Sequence, residues 1–303
     1  MNAVSRKVLV SGVSGPIGAA LLPSLTAAGY EITRLVRDGS AGLRWNPAQP
    51  LDPAAVSGFD VVIHLAGEPI VGRWTDAKKA AIRDSRVLGT RHITEALVQA
   101  AKPPKVLISA SAIGYYGDRS DELLREESSP GSGFLAEVCR ESEAAAEIAA
   151  RAGIRAVPMR IGLVLSPAGG ALKKMLTPFR MGVGGRIGSG RQWWSWVHVQ
   201  DIVGAVHHIM STNSLRGPVN TISPNPVTNA EFTKVLGAVL SRPVILPMPA
   251  FAARLAFGEL ANQLLLASQR VEPAKLLASG YKFQYPDLTL SLRQILKRQG
   301  TSD

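Results

Sequence analysis

Near its N-terminus the chain reads Lys7-Val8-Leu9-Val10-Ser11-Gly12-Val13-Ser14-Gly15-Pro16-Ile17-Gly18. An apolar run stops at a glycine-rich turn and passes into an apolar, helix-compatible segment from Ile17 to Ala28. Strand, tight turn and helix in that order constrain the fold more than any other stretch, because they open a dinucleotide-binding α/β unit. In such a turn glycines let the backbone approach a pyrophosphate, whose charge rests on the free amides and positive dipole end of the helix. The spacing is Gly-x-x-Gly-x-x-Gly, not the G-x-G-x-x-G of ordinary dehydrogenases. Taken alone, the motif also admits a turn that binds no nucleotide.

A chain of 303 residues is long enough for one large α/β domain or for one domain carrying a smaller lobe, and its 46% hydrophobic content suits a packed core. The single Cys139 excludes an internal disulfide, and nothing points to an oxidising compartment. The first strand begins close to Met1, and no stretch approaches the ~18 apolar residues of a spanning helix. The expectation is a cytoplasmic protein that engages no membrane. A formal net charge of +11 invites a polyanion partner. The basic residues are scattered, however, with no run of them and no aromatic-basic module. They read as solvated surface plus anion sites for a phosphorylated ligand, and no nucleic acid is expected.

After Gly29 ends the first helix, Tyr30 to Val36 reads as the second strand. An acid near the end of that strand would hold the ribose hydroxyls of NAD. Val36 followed by Arg37 stands there instead, which favours the extra phosphate of NADP; an ordinary surface arginine is the alternative. Phe59 to Gly67 reads as a buried parallel strand ending in small residues at a ligand-facing edge. His64 within it reads as a packed, hydrogen-bonded histidine, not as a base. No metal is expected.

The Gly-x-x-Gly-x-x-Gly turn, His64-Leu65-Ala66-Gly67 and the helical Val87-Leu88-Gly89-Thr90 resemble the extended short-chain dehydrogenase/reductase superfamily, which includes sugar-nucleotide epimerases and dehydratases. Leu65-Ala66-Gly67-Glu68-Pro69-Ile70, Arg73-Trp74-Thr75, Gly114-Tyr115-Tyr116-Gly117 and Gly188 to His198 are similar to its atypical "epimerase family" subgroup, as is Asn225 to Phe232. Members of that subgroup carry cell-division-inhibitor-like labels and a C-terminal domain of unknown function. The resemblance covers nearly the whole chain. It implies a Rossmann-type α/β fold, a mainly parallel sheet with helices on both faces and a small C-terminal substrate lobe. Residues 1–217 would form the NADP-binding domain, with 170–195 contributing to the lobe, and 218–303 would be mainly the C-terminal substrate lobe.

By the same resemblance, Gly12, Ser14, Gly15, Pro16, Ile17 and Gly18 cradle the pyrophosphate of NADP(H), and Arg37 meets the adenosine phosphate. Leu65, Ala66, Gly67, Ser109, Arg160 and Leu163 line the cofactor cleft. Arg86 stands where the wider superfamily has an asparagine that organises a proton relay. The subgroup places an arginine there that reaches the cofactor; a plain salt bridge is the alternative. Glu68, Arg191, Trp194 and Trp196 are the candidate substrate contacts, although tryptophans in this stretch equally suit packing of the lobe.

Val106 to Ser111 reads as the strand that ends at the superfamily's catalytic Ser or Thr, with Ser109 and Ser111 as candidates and Ser111 preferred. Superfamily enzymes pair that residue with Tyr-x-x-x-Lys on a helix, where the ammonium lowers the phenol pKa for proton transfer. Here Cys139 and Glu143 occupy the two positions. A carboxylate four residues from a thiol raises the thiol pKa, so Cys139 does not read as an activated nucleophile. Tyr115 and Tyr116 are the candidate substitutes, with no lysine nearby in sequence to activate them.

Farther on, Arg155 to Leu165 reads as one buried strand, and Asp201 as the cap of a helix beginning at Ile202. Helical stretches are expected at 229–240, 250–268 and 288–297. Ala144 to Ala152 is compatible with a homodimer. Two functions follow from the resemblance. One is an NADP(H)-dependent oxidoreductase or epimerase acting on a small, nucleotide-sugar-like substrate. The other is a non-catalytic NADP(H)-binding regulatory protein linked to cell division.

Overall fold

The computed structural model describes residues 6–37 and 41–297. Its first half runs β1 (Lys7–Ser11), α1 (Pro16–Ala27), β2 (Glu31–Val36), β3 (Leu43–Arg44), β4 (Val61–His64), α2 (Asp76–Gln99) and β5 (Val106–Ala112). It continues through β6 (Leu123–Leu124), α3 (Phe134–Arg151), β7 (Arg155–Ile161), β8 (Leu163–Leu165), α4 (Gly170–Arg180), β9 (Trp193–Trp194) and β10 (Trp196–His198). The remainder is α5 (Val199–Ser211), β11 (Val219–Thr221), β12 (Val227–Thr228), α6 (Asn229–Leu240), α7 (Ala250–Phe257), β13 (Arg270–Val271), α8 (Ala274–Ala278) and α9 (Leu288–Lys297).

Seven strands form a parallel sheet in the order β3-β2-β1-β4-β5-β7-β11. Strand residues point alternately to the two faces, and β1 shows the consequence. Val8 and Val10 join a core with Leu21 and Leu25 of α1 and Val203 and Val206 of α5. Leu9 faces the opposite side, with Ile93 and Leu97 of α2 and Ala149 of α3. Both faces are thus covered by helices, as a parallel sheet requires. The chain leaves β1 toward one neighbour and β4 toward the other, so the sheet order reverses between them, and Ser11 lies in register with His64 at that point. The crevice beyond the C-terminal ends of these two strands is where such sheets bind ligands.

The expected strand from Arg155 to Leu165 is broken at Gly162. A Cβ there would lie 2.3 Å from the carbonyl oxygen of Ser195. The chain therefore leaves the sheet after Ile161 and pairs with β10 as the separate strand β8. That handover starts the lobe, whose core joins Leu172 and Leu176 of α4, Trp194, Trp196, Phe232 and Leu236 of α6, and Leu288, Leu292 and Ile295 of α9. Helix α6 opens with a capping box, in which Thr228 Oγ accepts from the Glu231 amide and the Glu231 carboxylate accepts from the Thr228 amide. The 250–268 region is two pieces. Helix α7 ends at Gly258 (φ +60°), and a π-helical turn follows at Ala261–Leu265.

The edge strand β11 lies beyond residue 217, and Leu276 of α8 belongs to the same core cluster as Leu21 of α1 and Val206 of α5, so the C-terminal part adds to the sheet as well as to the lobe. One capping expectation is corrected. Helix α5 starts at Val199 and is capped by His198, whose Nδ1 accepts from the Gln200 amide at 3.0 Å. Asp201 instead accepts from the amides of Gln284 (2.6 Å) and Tyr285 (3.1 Å), tying a distant segment to the helix. Among the described residues, no helix is long and apolar enough to cross a membrane.

Candidate functional site

The crevice begins at the turn after β1. Gly12 has φ +72°, and a Cβ on it would sit 2.4 Å from the carbonyl carbon of Leu65 and 2.6 Å from the amide nitrogen of Ala66. Gly18 is equally constrained, because a Cβ there would meet Gly12 O at 2.5 Å. These two glycines let the turn lie against the chain leaving β4 and let α1 pack on the turn. Gly15 differs. Its φ is −75°, and the nearest atom to an added Cβ is Gly12 O at 3.4 Å. Gly15 is also the N-cap of α1 and offers no side-chain cap, with Pro16 following and no acid in the first turn. The first-turn amides of this helix are left for an outside acceptor. Ser14 is exposed beside them, and Ile17 packs partly into the core below.

Ser11 was not singled out by the sequence, yet it pins the two strand ends together. Its hydroxyl lies 2.7 Å from His64 Nδ1 and accepts from the amides of Leu65 (3.2 Å) and Ala66 (3.4 Å). Burial, with the charge of Arg86, lowers the His64 pKa to about 4, so the imidazole is neutral beside the Ser11 hydroxyl. His64 is thus the packed histidine expected, and its ring meets Trp45 edge-on at 5.7 Å.

Leu65 and Ala66 follow, half-buried, and Gly67 is exposed. The guanidinium carbon of Arg86 comes within 3.1 Å of where a Gly67 Cβ would be. Arg86 Nη1 donates to Glu68 O at 2.9 Å and to Ile82 O at 3.3 Å, and burial lowers the arginine's pKa. The cation therefore lines the chain leaving β4. Glu68 turns away to a 2.5 Å ion pair with Lys78. Arg37 is exposed immediately after β2. Farther along, Trp74 of this loop meets Phe134 of α3 at 5.2 Å, and the C-terminal part reaches the neighbouring helices where Glu259 pairs with Lys79 at 2.8 Å and Gln263 accepts from the Leu135 amide.

At the end of β5, Ser109 is buried in the sheet and Ser111 is partly open. Ser111 Oγ donates to Glu143 Oε1 at 2.6 Å. Glu143 in turn is held from two sides by Arg160, Nε to Oε1 at 2.9 Å and Nη2 to Oε2 at 2.8 Å. Cys139, one turn earlier on α3, is buried, and burial together with Glu143 pushes its thiol up to about 11.

Several candidate residues take other places. Arg160 is committed to protein partners: besides Glu143 it donates from Nη1 to Tyr116 Oη (2.9 Å) and Glu126 O (3.0 Å), and the Tyr115 ring lies 3.4 Å from its guanidinium carbon. Tyr116 is fully buried and shares its hydroxyl proton between Asn220 Oδ1 (2.7 Å) and Arg125 O (2.9 Å). Burial pushes its phenol up to about 12, so Tyr116 is a strut and not a proton donor to a ligand. Trp196 is fully buried, donating to Asn225 O at 3.0 Å, and Trp194 packs on Phe232 at 5.3 Å. Both indoles build the lobe's interior and line no open cleft. Arg191 is exposed, and Leu163 is half-buried just past the break at Gly162. Among the described residues, no group of three or more His, Cys, Asp or Glu is placed to hold a metal ion.

Comparisons with known proteins agree with this geometry. Residues 8–221 match the model of the NAD dependent epimerase/dehydratase family, and residues 248–295 match a domain of unknown function, DUF1731. The epimerase family protein Mb2239 of Mycobacterium bovis is 42% identical over 298 residues, covering 97% of this chain and 98% of that protein. The crystal structure of human epimerase family protein SDR39U1 with NADPH superposes with a TM-score of 0.89 at 34% identity, covering 96% of this chain and 99% of that one. A nucleoside-diphosphate sugar epimerase from Corynebacterium glutamicum gives a TM-score of 0.80 at 35% identity, covering 96% of this chain and 58% of that one. With its glycine turn, its switch-point crevice and its C-terminal domain all accounted for, the chain belongs to the NAD dependent epimerase/dehydratase family.

Proposed function

We propose that this chain binds NADP(H) at the glycine turn and acts as an oxidoreductase or epimerase on a small substrate between the sheet edge and the lobe. The observation that carries the reading is Gly15. At Gly12 and Gly18 the protein's own backbone forbids a side chain, whereas at Gly15 it does not. A glycine there serves a neighbour outside the fold, and the uncapped amides of α1 beside it suit a pyrophosphate. Arg37, exposed immediately after β2 with Val36 in place of an acid at the strand end, supplies the cation for the adenosine phosphate. The human relative crystallised with NADPH supports the cofactor, and the name of the Corynebacterium protein supports a nucleotide sugar as substrate class.

When bound, the nicotinamide supplies or accepts hydride. The chain's own part is to bind and orient. Leu65, Ala66, Gly67 and Leu163 form the apolar and small-residue lining, Arg86 presents a fixed cation, and Ser111 meets the substrate. A second reading, an NADP(H)-binding regulatory protein without turnover, is favoured by the other half of the site. Cys139 is a protonated thiol, and the charge at position 143 is a carboxylate neutralised by Arg160, so neither supplies the phenol and ammonium of the superfamily's proton transfer.

Titration of NADPH and NADH into the purified protein, with native mass spectrometry of what co-purifies, tests the proposal. The expected result is tighter binding of NADPH, with Arg37→Glu weakening NADPH at least tenfold and NADH much less. Equal affinity for the two cofactors in the unmodified protein sinks the NADP assignment, and a persistently empty second site favours the regulatory reading.

A further inference from the structure

We propose that Ser111 meets its ligand as a hydrogen-bond acceptor, so that the site selects a group bearing an O–H or N–H at this point over a bare carbonyl. The inference rests on the NADP(H) reading above and sharpens its substrate class. A serine hydroxyl has one proton and two acceptor lone pairs. The proton of Ser111 is directed at Glu143 Oε1, 2.6 Å away. An ionised carboxylate has no proton to return, so the direction of this bond is fixed.

Glu143 cannot turn aside to release that proton. Arg160 grips both of its oxygens, at 2.9 and 2.8 Å, and is itself locked by Tyr116 Oη, Glu126 O and the face of Tyr115. Cys139 also interacts with the Ser111 hydroxyl. Its buried thiol is a weak donor and a weak acceptor and does not compete with a carboxylate for the serine proton. The lone pairs of Ser111 are left for a ligand, and the residue is partly open. Were position 143 the lysine of the superfamily motif, its ammonium would donate toward the serine oxygen and leave the serine proton for a carbonyl. The exchange of lysine for glutamate therefore inverts the polarity of the strand-end serine.

The test uses the full chain loaded with NADPH, with cyclohexanol and cyclohexanone competing in saturation-transfer NMR. NADPH fluorescence titration on the same samples reports the cofactor separately. The unmodified protein should favour the alcohol roughly five- to tenfold, the worth of one neutral hydrogen bond. Glu143→Ala removes the acceptor altogether, frees the serine proton and should shift the preference toward the ketone. Ser111→Ala leaves the Glu143 and Arg160 pair intact and should abolish the preference, which a purely structural role for Glu143 would not alter. If the unmodified protein binds NADPH but favours the ketone, reduces it, treats both probes alike or binds neither, the proposal is overturned. An unchanged preference in Ser111→Ala overturns it as well. A protein that fails to bind NADPH brings down the cofactor reading instead.

Discussion

One methyl group added at each of two glycines separates what the turn owes to its own fold from what it owes to a ligand. At Gly12 the backbone is left-handed (φ +72°), which costs a non-glycine residue about 1–2 kcal/mol. The new Cβ would also lie 2.4 Å from Leu65 C and 2.6 Å from Ala66 N, atoms held in place by Ser11 Oγ. Overpacking against backbone adds about 1–3 kcal/mol. Gly12→Ala should therefore lose about 2–5 kcal/mol, a large share of the ~5–15 kcal/mol that keeps a domain folded. Gly15→Ala meets no such obstacle, at φ −75° with its nearest neighbour 3.4 Å away, and its stability should stay within about 1 kcal/mol of the unmodified chain. Its methyl nevertheless stands where a pyrophosphate would reach the amides of α1. Losing one charge-assisted hydrogen bond of about 1.5–3 kcal/mol weakens NADPH roughly ten- to a hundredfold. Urea unfolding followed by tryptophan fluorescence gives the first quantity and NADPH titration the second. A Gly15→Ala variant that binds NADPH normally, or a Gly12→Ala variant as stable as its parent, refutes the division of roles.

Two further outcomes concern buried titrating groups. Cys139, with its thiol raised to about 11 and only 6% of its surface exposed, should resist iodoacetamide from about pH 7 to 9 in the folded protein and react in urea; folded-state labelling at the rate of a free thiol would contradict the burial argument. His64 titrates at about 4 when folded and near 6.5 when unfolded, so between these values the unfolded chain binds the extra proton. Its contribution to stability is whole above pH 6.5 and is lost as the pH falls toward 4, on the order of 3 kcal/mol in all. The difference between the unmodified protein and His64→Gln across that window isolates it, and parallel pH profiles for the two would exclude His64 as the source.

The parallel sheet was legible because Val, Leu and Ile runs end at glycines or small residues, and α6 and α9 have the bounds read from the sequence. What could not be read were polar partners far apart in the chain. Arg160 is defined by Glu143 and Tyr116, and Asp201 by amides more than 80 residues away. A local capping rule gave Asp201 the wrong task because His198 was better placed for it. Trp194 and Trp196 stayed open for a related reason: a large aromatic side chain signals burial and ligand contact equally, and the packed lobe shows the burial. Two clues were available and went unused. Gly162 interrupts an apolar run with no turn residues around it, a sign of close backbone approach. Ser11 and His64 end adjacent strands, the arrangement in which small polar side chains meet.

The way the lobe's interior is assembled also sets a timetable for making the protein. Its packing begins with Leu165, Leu172 and Leu176 and is completed by Leu292 and Ile295. About 130 residues separate the first of these from the last, on the order of ten seconds of synthesis at the usual elongation rate. The strands from β1 to β7 can pair on the ribosome in that interval, while Trp194, Trp196 and Phe232 wait for α9 to emerge. Growth of the nascent chain thus holds an apolar surface open until α9 has been made, and a ribosome stalled ahead of Leu288 would display it to chaperones.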